Sequence, residues 1–129
     1  MSFELEIGRI GEDLVARWLK SKGYIILRQN YKCDYGEIDI VAENPKVIAF
    51  VEVKTRKENS LVSPKDAVDT TKQRKLAITA KDFVQKAYLK NMPYRFDIAE
   101  VTYSTDKEGV PKYSLNYIKN AFFYDLADD

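Results

Sequence analysis

Histidine is missing from the 129 residues of this chain, and cysteine occurs once, as Cys33. Without histidine there is no Ser-His-Asp or Cys-His catalysis, no imidazole general base and none of the usual zinc sites. A lone cysteine forms no internal disulfide, CxxC redox pair or iron–sulfur site, and Cys33 reads as an inert thiol. Neither GxGxxG nor GxxxxGK[ST] occurs, which removes both common nucleotide-phosphate loops. No apolar run approaches the ~20 residues a membrane span needs. The acidic, amphipathic N-terminus lacks the basic region and apolar block of a secretory signal, so the expectation is a cytoplasmic protein with no membrane partner. Charge of one sign is also lacking: 21 Lys+Arg stand against 20 Asp+Glu, which argues against a cationic, non-specific nucleic-acid coat. The groups left for chemistry are carboxylates, lysines, tyrosines and hydroxyls. Hard oxygen ligands of this kind favour Mg²⁺ or Mn²⁺.

What is present is globular composition, 45% hydrophobic and 32% charged, at a length suited to one α/β domain over residues 1–129. From Phe3 to Lys22, Ile7, Ile10, Leu14, Val15, Trp18 and Leu19 recur at helical spacing. Gly11 lies in that stripe, where glycine costs about 1 kcal/mol relative to alanine, so close backbone packing is the expected reason for it. Gly23 ends the helix. Three strands are expected at Tyr24–Arg28, Glu37–Val41 and Val47–Thr55, the second with Ile38 and Ile40 on one face and Asp39 on the other. A helix start at Ser63-Pro64-Lys65-Asp66 gives a short turn of helix, then a long helix to about Leu89 with Leu76, Ala80, Phe83, Val84 and Ala87 inward, ended by Asn91-Met92-Pro93. Strands Phe96–Tyr103 and Tyr113–Ile118 follow, around a turn at Glu108-Gly109. The order α-β-β-β-α-β-β implies a mixed sheet flanked by helices.

The chemistry concentrates on the second and third strands. Closing the hairpin through Glu43-Asn44-Pro45-Lys46, with Ala42 opposite Val47, makes Asp39 the diagonal neighbour of Glu52, roughly 7–8 Å away between backbones. A slip that preserved the faces would set the two directly opposite. In either register Asp39, Glu52 and Lys54 share a face. Two carboxylates so placed repel unless a cation lies between them, and a divalent ion would supply a Lewis acid as well. Lys54 can hold an attacking water or stabilise charge developing on a phosphate.

Asp39 followed by Glu52-Val53-Lys54 resembles the PD-(D/E)xK nuclease motif, and the αβββαβ order resembles the restriction-endonuclease-like core. More closely, Gly8-Arg9-Ile10-Gly11-Glu12, Gly36-Glu37-Ile38-Asp39, Phe50-Val51-Glu52-Val53-Lys54-Thr55-Arg56 and Arg95-Phe96-Asp97 resemble the YraN-like family of uncharacterised bacterial proteins, regarded as related to Holliday-junction resolvases. The resemblance implies Asp39 and Glu52 as metal ligands with the Val53 carbonyl as a third, Lys54 as the catalytic lysine, and Glu12 as a helix-borne acid. Ile38 stands where the motif's name has proline. The implied function is metal-dependent cleavage of nucleic acid, DNA rather than RNA, and a branched substrate would call for a homodimer.

Other residues admit two readings each. Glu12 falls ~20° beyond Leu19, at the stripe's edge, and either reaches over the sheet or is solvated. Arg56, Lys72, Gln73 and Lys75 could contact phosphates, although Gln73 equally suits a buried position and the lysines a solvated face. Glu37 reads as a strand-face charge and Asp97 as structural. An E-x-K triplet also suits an ordinary exposed strand face. The rival function is a nucleic-acid-binding module of nuclease fold without turnover.

Overall fold

The structure is a computed structural model that describes residues 2–61, 67–89 and 91–127. Helix α1 spans Phe3–Ser21, and strands β1, β2 and β3 span Ile25–Cys33, Gly36–Glu43 and Ile48–Lys57. Helix α2 covers Thr70–Lys86, and strands β4 and β5 cover Tyr94–Thr105 and Pro111–Phe122. The five strands form one sheet in chain order, antiparallel except for β3 and β4, which are parallel. That parallel pair needs a crossover, and α2 provides it. The helix start expected at Ser63–Asp66 lies outside the described residues; α2 is capped by Asp69, whose carboxylate accepts from the Lys72 N–H at 2.9 Å.

The helices cover opposite faces of the sheet. Val15, Ala16 and Leu19 of α1 pack on Ile40, Ala42, Ala49, Val51, Ala99 and Val101. Leu76, Ala80, Phe83 and Val84 of α2 pack on Ile38, Val41, Ile48, Phe50 and Phe96. A central strand covered on both faces is apolar on both, which explains the unbroken run Ile48–Val51. Helix α1 stops in a Schellman turn: the Tyr24 N–H bonds the Leu19 carbonyl, the Gly23 N–H bonds Lys20, and Gly23 has φ +92°. Gly11 packs as the sequence suggests. A Cβ there would sit 2.1 Å from Thr55 Oγ1, so only glycine lets α1 lie this close to β3. Among the described residues no helix is long and apolar enough to cross a membrane.

Four expectations change. Ile10 is 41% exposed, whereas Ala16 is buried, so the inward arc of α1 is rotated from the one read off its apolar residues. Ala87 is exposed because the helix already ends there as its C-cap. Strand β1 runs on past Arg28 to Cys33, through the polar Gln29, Asn30 and Lys32, with Tyr31 packed on the core. Finally, Ile38 and Ile40 lie in opposite cores. The alternation breaks at Asp39, on the rung it shares with Asn30, which adopts φ 56° between the pairs Gln29↔Ile40 and Tyr31↔Ile38.

Candidate active site

The β2–β3 hairpin turns over Asn44–Val47, not Glu43–Lys46. Asn44 Oδ1 accepts from the N–H groups of Lys46 and Val47 at 2.8 and 2.9 Å, an Asx turn that draws Glu43 opposite Ile48. The register is therefore two residues away from the one built on Ala42 opposite Val47. The ladder ends at Ile40↔Val51, which makes Asp39 and Glu52 the next rung, where the strands part. Beyond it β2 stays with β1 as far as Gly36, while β3 continues beside β4. Asp39 and Glu52 thus meet at a split in the sheet, the direct opposition that the slipped register would give.

At this split the Asp39 carboxylate accepts the Val53 N–H at 2.8 Å and lies close enough to Glu52 for its charge to act on that carboxyl. Glu52 is only 9% exposed. Burial, then the Asp39 charge, push its carboxyl up to about 8, against the pull of Lys72 and Lys54. The Lys72 ammonium, from the first turn of α2, stands 3.7 Å from Glu52 Oε1.

Glu12 comes in from α1. With the arc of that helix reset, ~100° per residue places it between Leu19 and Ala16, inside the buried face. The tight Gly11–Thr55 contact one residue earlier sets its height over β3. Its Oε1 is buried without a hydrogen-bond partner. Burial, then the charges of Asp39, Glu37 and Asp13, raise its carboxyl to about 7, with Arg9 opposing. Glu12, Asp39, Glu52 and Val53 line one cavity of about 270 Å³ together with Ile7, Gly8, Thr55, Lys57 and Tyr103.

The other expected residues distribute as follows. Lys54 is close enough to Glu52 to lower its carboxyl pKa, but it does not line the cavity. Arg56 lies one pleat further along β3, aligned with Thr102. Lys72 belongs to the site as the ion-pair partner of Glu52. Gln73 donates to the Val68 carbonyl at 3.1 Å and so ties down the entry to α2. Lys75 is exposed on α2 and lies outside the cavity. Lys57 and Tyr103 escaped the sequence reading. Alternation from Val53 through Thr55 reaches Lys57, whereas Tyr103 joins only through the parallel rung Lys57↔Tyr103.

Two facing carboxyls and a third with an orphaned buried oxygen form an electron-rich, poorly hydrated donor set. Such a set suits a hard divalent cation, which would relieve the repulsion between the carboxylates. Among the described residues no three Asp, Glu or Cys side chains are gathered closely enough to hold an ion unaided. Water, backbone carbonyl or phosphate oxygens would therefore complete the shell.

A five-stranded mixed sheet between two helices, with paired carboxylates where two strands part, defines the restriction-endonuclease-like class of α/β protein. The chain belongs to the uncharacterised protein family UPF0102, the YraN family, whose model matches residues 11–101. It is 42% identical over 120 residues to a UPF0102 protein of Clostridium perfringens, covering 93% of this chain and 96% of the relative. Identity is 44% over 117 residues to a UPF0102 protein of Caldicellulosiruptor saccharolyticus, 91% and 97% of the two chains. A UPF0102 protein of Alkaliphilus metalliredigens is 40% identical over 116 residues, 90% and 96% of the two.

Proposed function

We propose that this protein is a metal-dependent nuclease that hydrolyses a phosphodiester of nucleic acid, DNA in preference to RNA. One observation carries the reading: Asp39 and Glu52 face each other on the rung where β2 and β3 part, in one cavity with the unpaired Glu12 oxygen. Mg²⁺ or Mn²⁺ held by Asp39 and Glu52, with the Val53 carbonyl as a third ligand, would supply Lewis acidity toward the phosphate.

The chain's own residues do the rest. The Val53 N–H fixes the Asp39 carboxylate at 2.8 Å. Lys72 steadies Glu52 from the far side and favours its ionised form. Glu12, titrating at about 7, is matched to accept a proton from water near neutral pH. Lys54 offers an ammonium to the charge that builds on the phosphate oxygens. Water oxygen bonds to phosphorus, the bond to the leaving sugar oxygen breaks, and that oxygen takes up a proton. Arg56 contributes a cation to a flanking phosphate.

The test is a panel of linear, nicked and branched DNAs incubated with Mg²⁺ or Mn²⁺. Wild type cleaves at least one, while Asp39→Ala and Glu52→Ala bind it but do not cleave. Binding without cleavage in either metal would overturn the reading and make the protein a nucleic-acid-binding module of nuclease fold.

A further inference from the structure

The Arg95-Phe96-Asp97 stretch takes no part in the carboxylate site, yet it is elaborately bonded. The Asp97 carboxylate is 1% exposed. It accepts from Arg95 Nε at 2.8 and 3.0 Å, from the Tyr117 hydroxyl at 2.6 Å and from the Asn120 N–H at 2.8 Å. Arg95 Nη2 donates to the Tyr24 hydroxyl at 2.6 Å. Two tyrosines are thereby held by their hydroxyl ends, and both contribute to the wall of a second cavity of about 700 Å³.

This cavity lies at the far end of α1. Its other lining residues are Trp18, Lys22, Asn44, Leu115 and Lys119. Trp18 stacks on Tyr117 with ring centroids 4.6 Å apart and planes at 29°, and the Lys22 ammonium lies 5.6 Å from the Trp18 ring. Among the described residues no carboxylate lines it, and Asp97 behind its wall is paired with Arg95. Asn44 Oδ1 is occupied in the hairpin turn, which leaves its NH₂ group as a donor. From Glu12 to Lys22 the helix rises ~15 Å, so this is a separate place on the molecule.

We infer that this cavity binds a nucleotide unit, with the base against the Trp18–Tyr117 stack and the phosphate held by Lys22 and Lys119. Two ammonium groups without an opposing acid select an anion. The Trp18–Tyr117 stack, its Tyr117 hydroxyl anchored on Asp97, selects a planar aromatic body, and Tyr24, 7% exposed with the Arg95 guanidinium over its ring, forms the wall behind it. The volume lies within the ~300–1,000 Å³ typical of small-molecule sites. A free nucleotide and an unpaired residue of a nucleic-acid strand share this chemistry. The inference goes beyond the nuclease reading and does not rest on it.

The chain has a single tryptophan, so Trp18 fluorescence reports this site directly. The full chain is titrated with AMP, with adenosine and with a short single-stranded deoxyadenylate oligomer. Saturable quenching by AMP is expected if the ligand is a free nucleotide, and by the oligomer alone if it is a strand. In either case Lys22→Ala with Lys119→Ala weakens it by about tenfold or more, as the loss of two charge-assisted contacts requires. Both lysines are exposed, so this variant keeps the fold. The inference is overturned if neither phosphate ligand quenches saturably, if adenosine equals AMP, or if the double variant binds unchanged.

Discussion

Replacing Glu52 by glutamine removes one negative charge from the split between β2 and β3 while keeping nearly the same shape. In the folded chain this carboxyl titrates at about 8, against an ordinary value of 4.5. Between those values the folded state keeps a proton that the unfolded state has released, so stability falls as pH rises through the window and levels off above it. At about 1.4 kcal/mol per pH unit, the ceiling is roughly 5 kcal/mol; relaxation and water entry bring the expected penalty to about 2 kcal/mol at pH 9. Urea unfolding of wild type and Glu52→Gln at pH 5 and pH 9 measures it. At pH 5 the two should lie close together, because the wild-type carboxyl is then protonated. At pH 9 the variant should be the more stable by about 2 kcal/mol, or several degrees in Tm. Adding Mg²⁺ or Mn²⁺ at pH 9 should narrow the gap by stabilising wild type alone, as a ligand of the folded state does. Equal stability of the two proteins at both pH values would refute the argument that Glu52 is a strained, buried charge.

Further outcomes follow from the same geometry. Gly11→Ala should destabilise by about 1–3 kcal/mol through overpacking against Thr55, and Thr55→Ala in the same chain should recover part of it, read as urea midpoints. Asp97→Asn should cost about 3–5 kcal/mol by leaving Arg95 without its buried partner, measured by thermal unfolding. Lys72→Ala removes the first of the two cations that lower the Glu52 pKa, so Mn²⁺ affinity should fall most below pH 8, measured by calorimetry across pH. Mn²⁺ uptake at pH 6 should release more protons than at pH 9, since Glu12 and Glu52 titrate at about 7 and 8; calorimetry in two buffers of different ionisation enthalpy counts them.

Periodicity and punctuation are local properties, and they made the element order legible. The α1 repeat, the Gly23 stop and the apolar strands appear in the structure in the expected sequence. Gly11 showed its purpose in the sequence because a glycine on an inward helical stripe has few other uses. The strand alternation put Glu52 and Lys54 together, and the hairpin brought Asp39 within reach of them. Other features lay outside the apolar pattern. The Asx turn at Asn44 set the β2–β3 register, and the left-handed Asn30 marked the break that separates Ile38 from Ile40. Both are backbone choices that apolar patterning does not encode. The depth of Glu12 followed from the rotation of α1 against the sheet, and Lys72 met Glu52 only once α2 had crossed over the strands. The Arg95–Asp97 network needed Tyr24 and Tyr117 from opposite ends of the chain. Local spacing of two to four residues set which segments become helix or strand and put Asp39 and Glu52 on one hairpin, with two registers open to it. How deeply those acids are buried, what charges surround them and where the aromatic cavity forms were settled by the packed fold. Burial and electrostatics are sums over everything nearby in space, and most of those neighbours are remote along the chain.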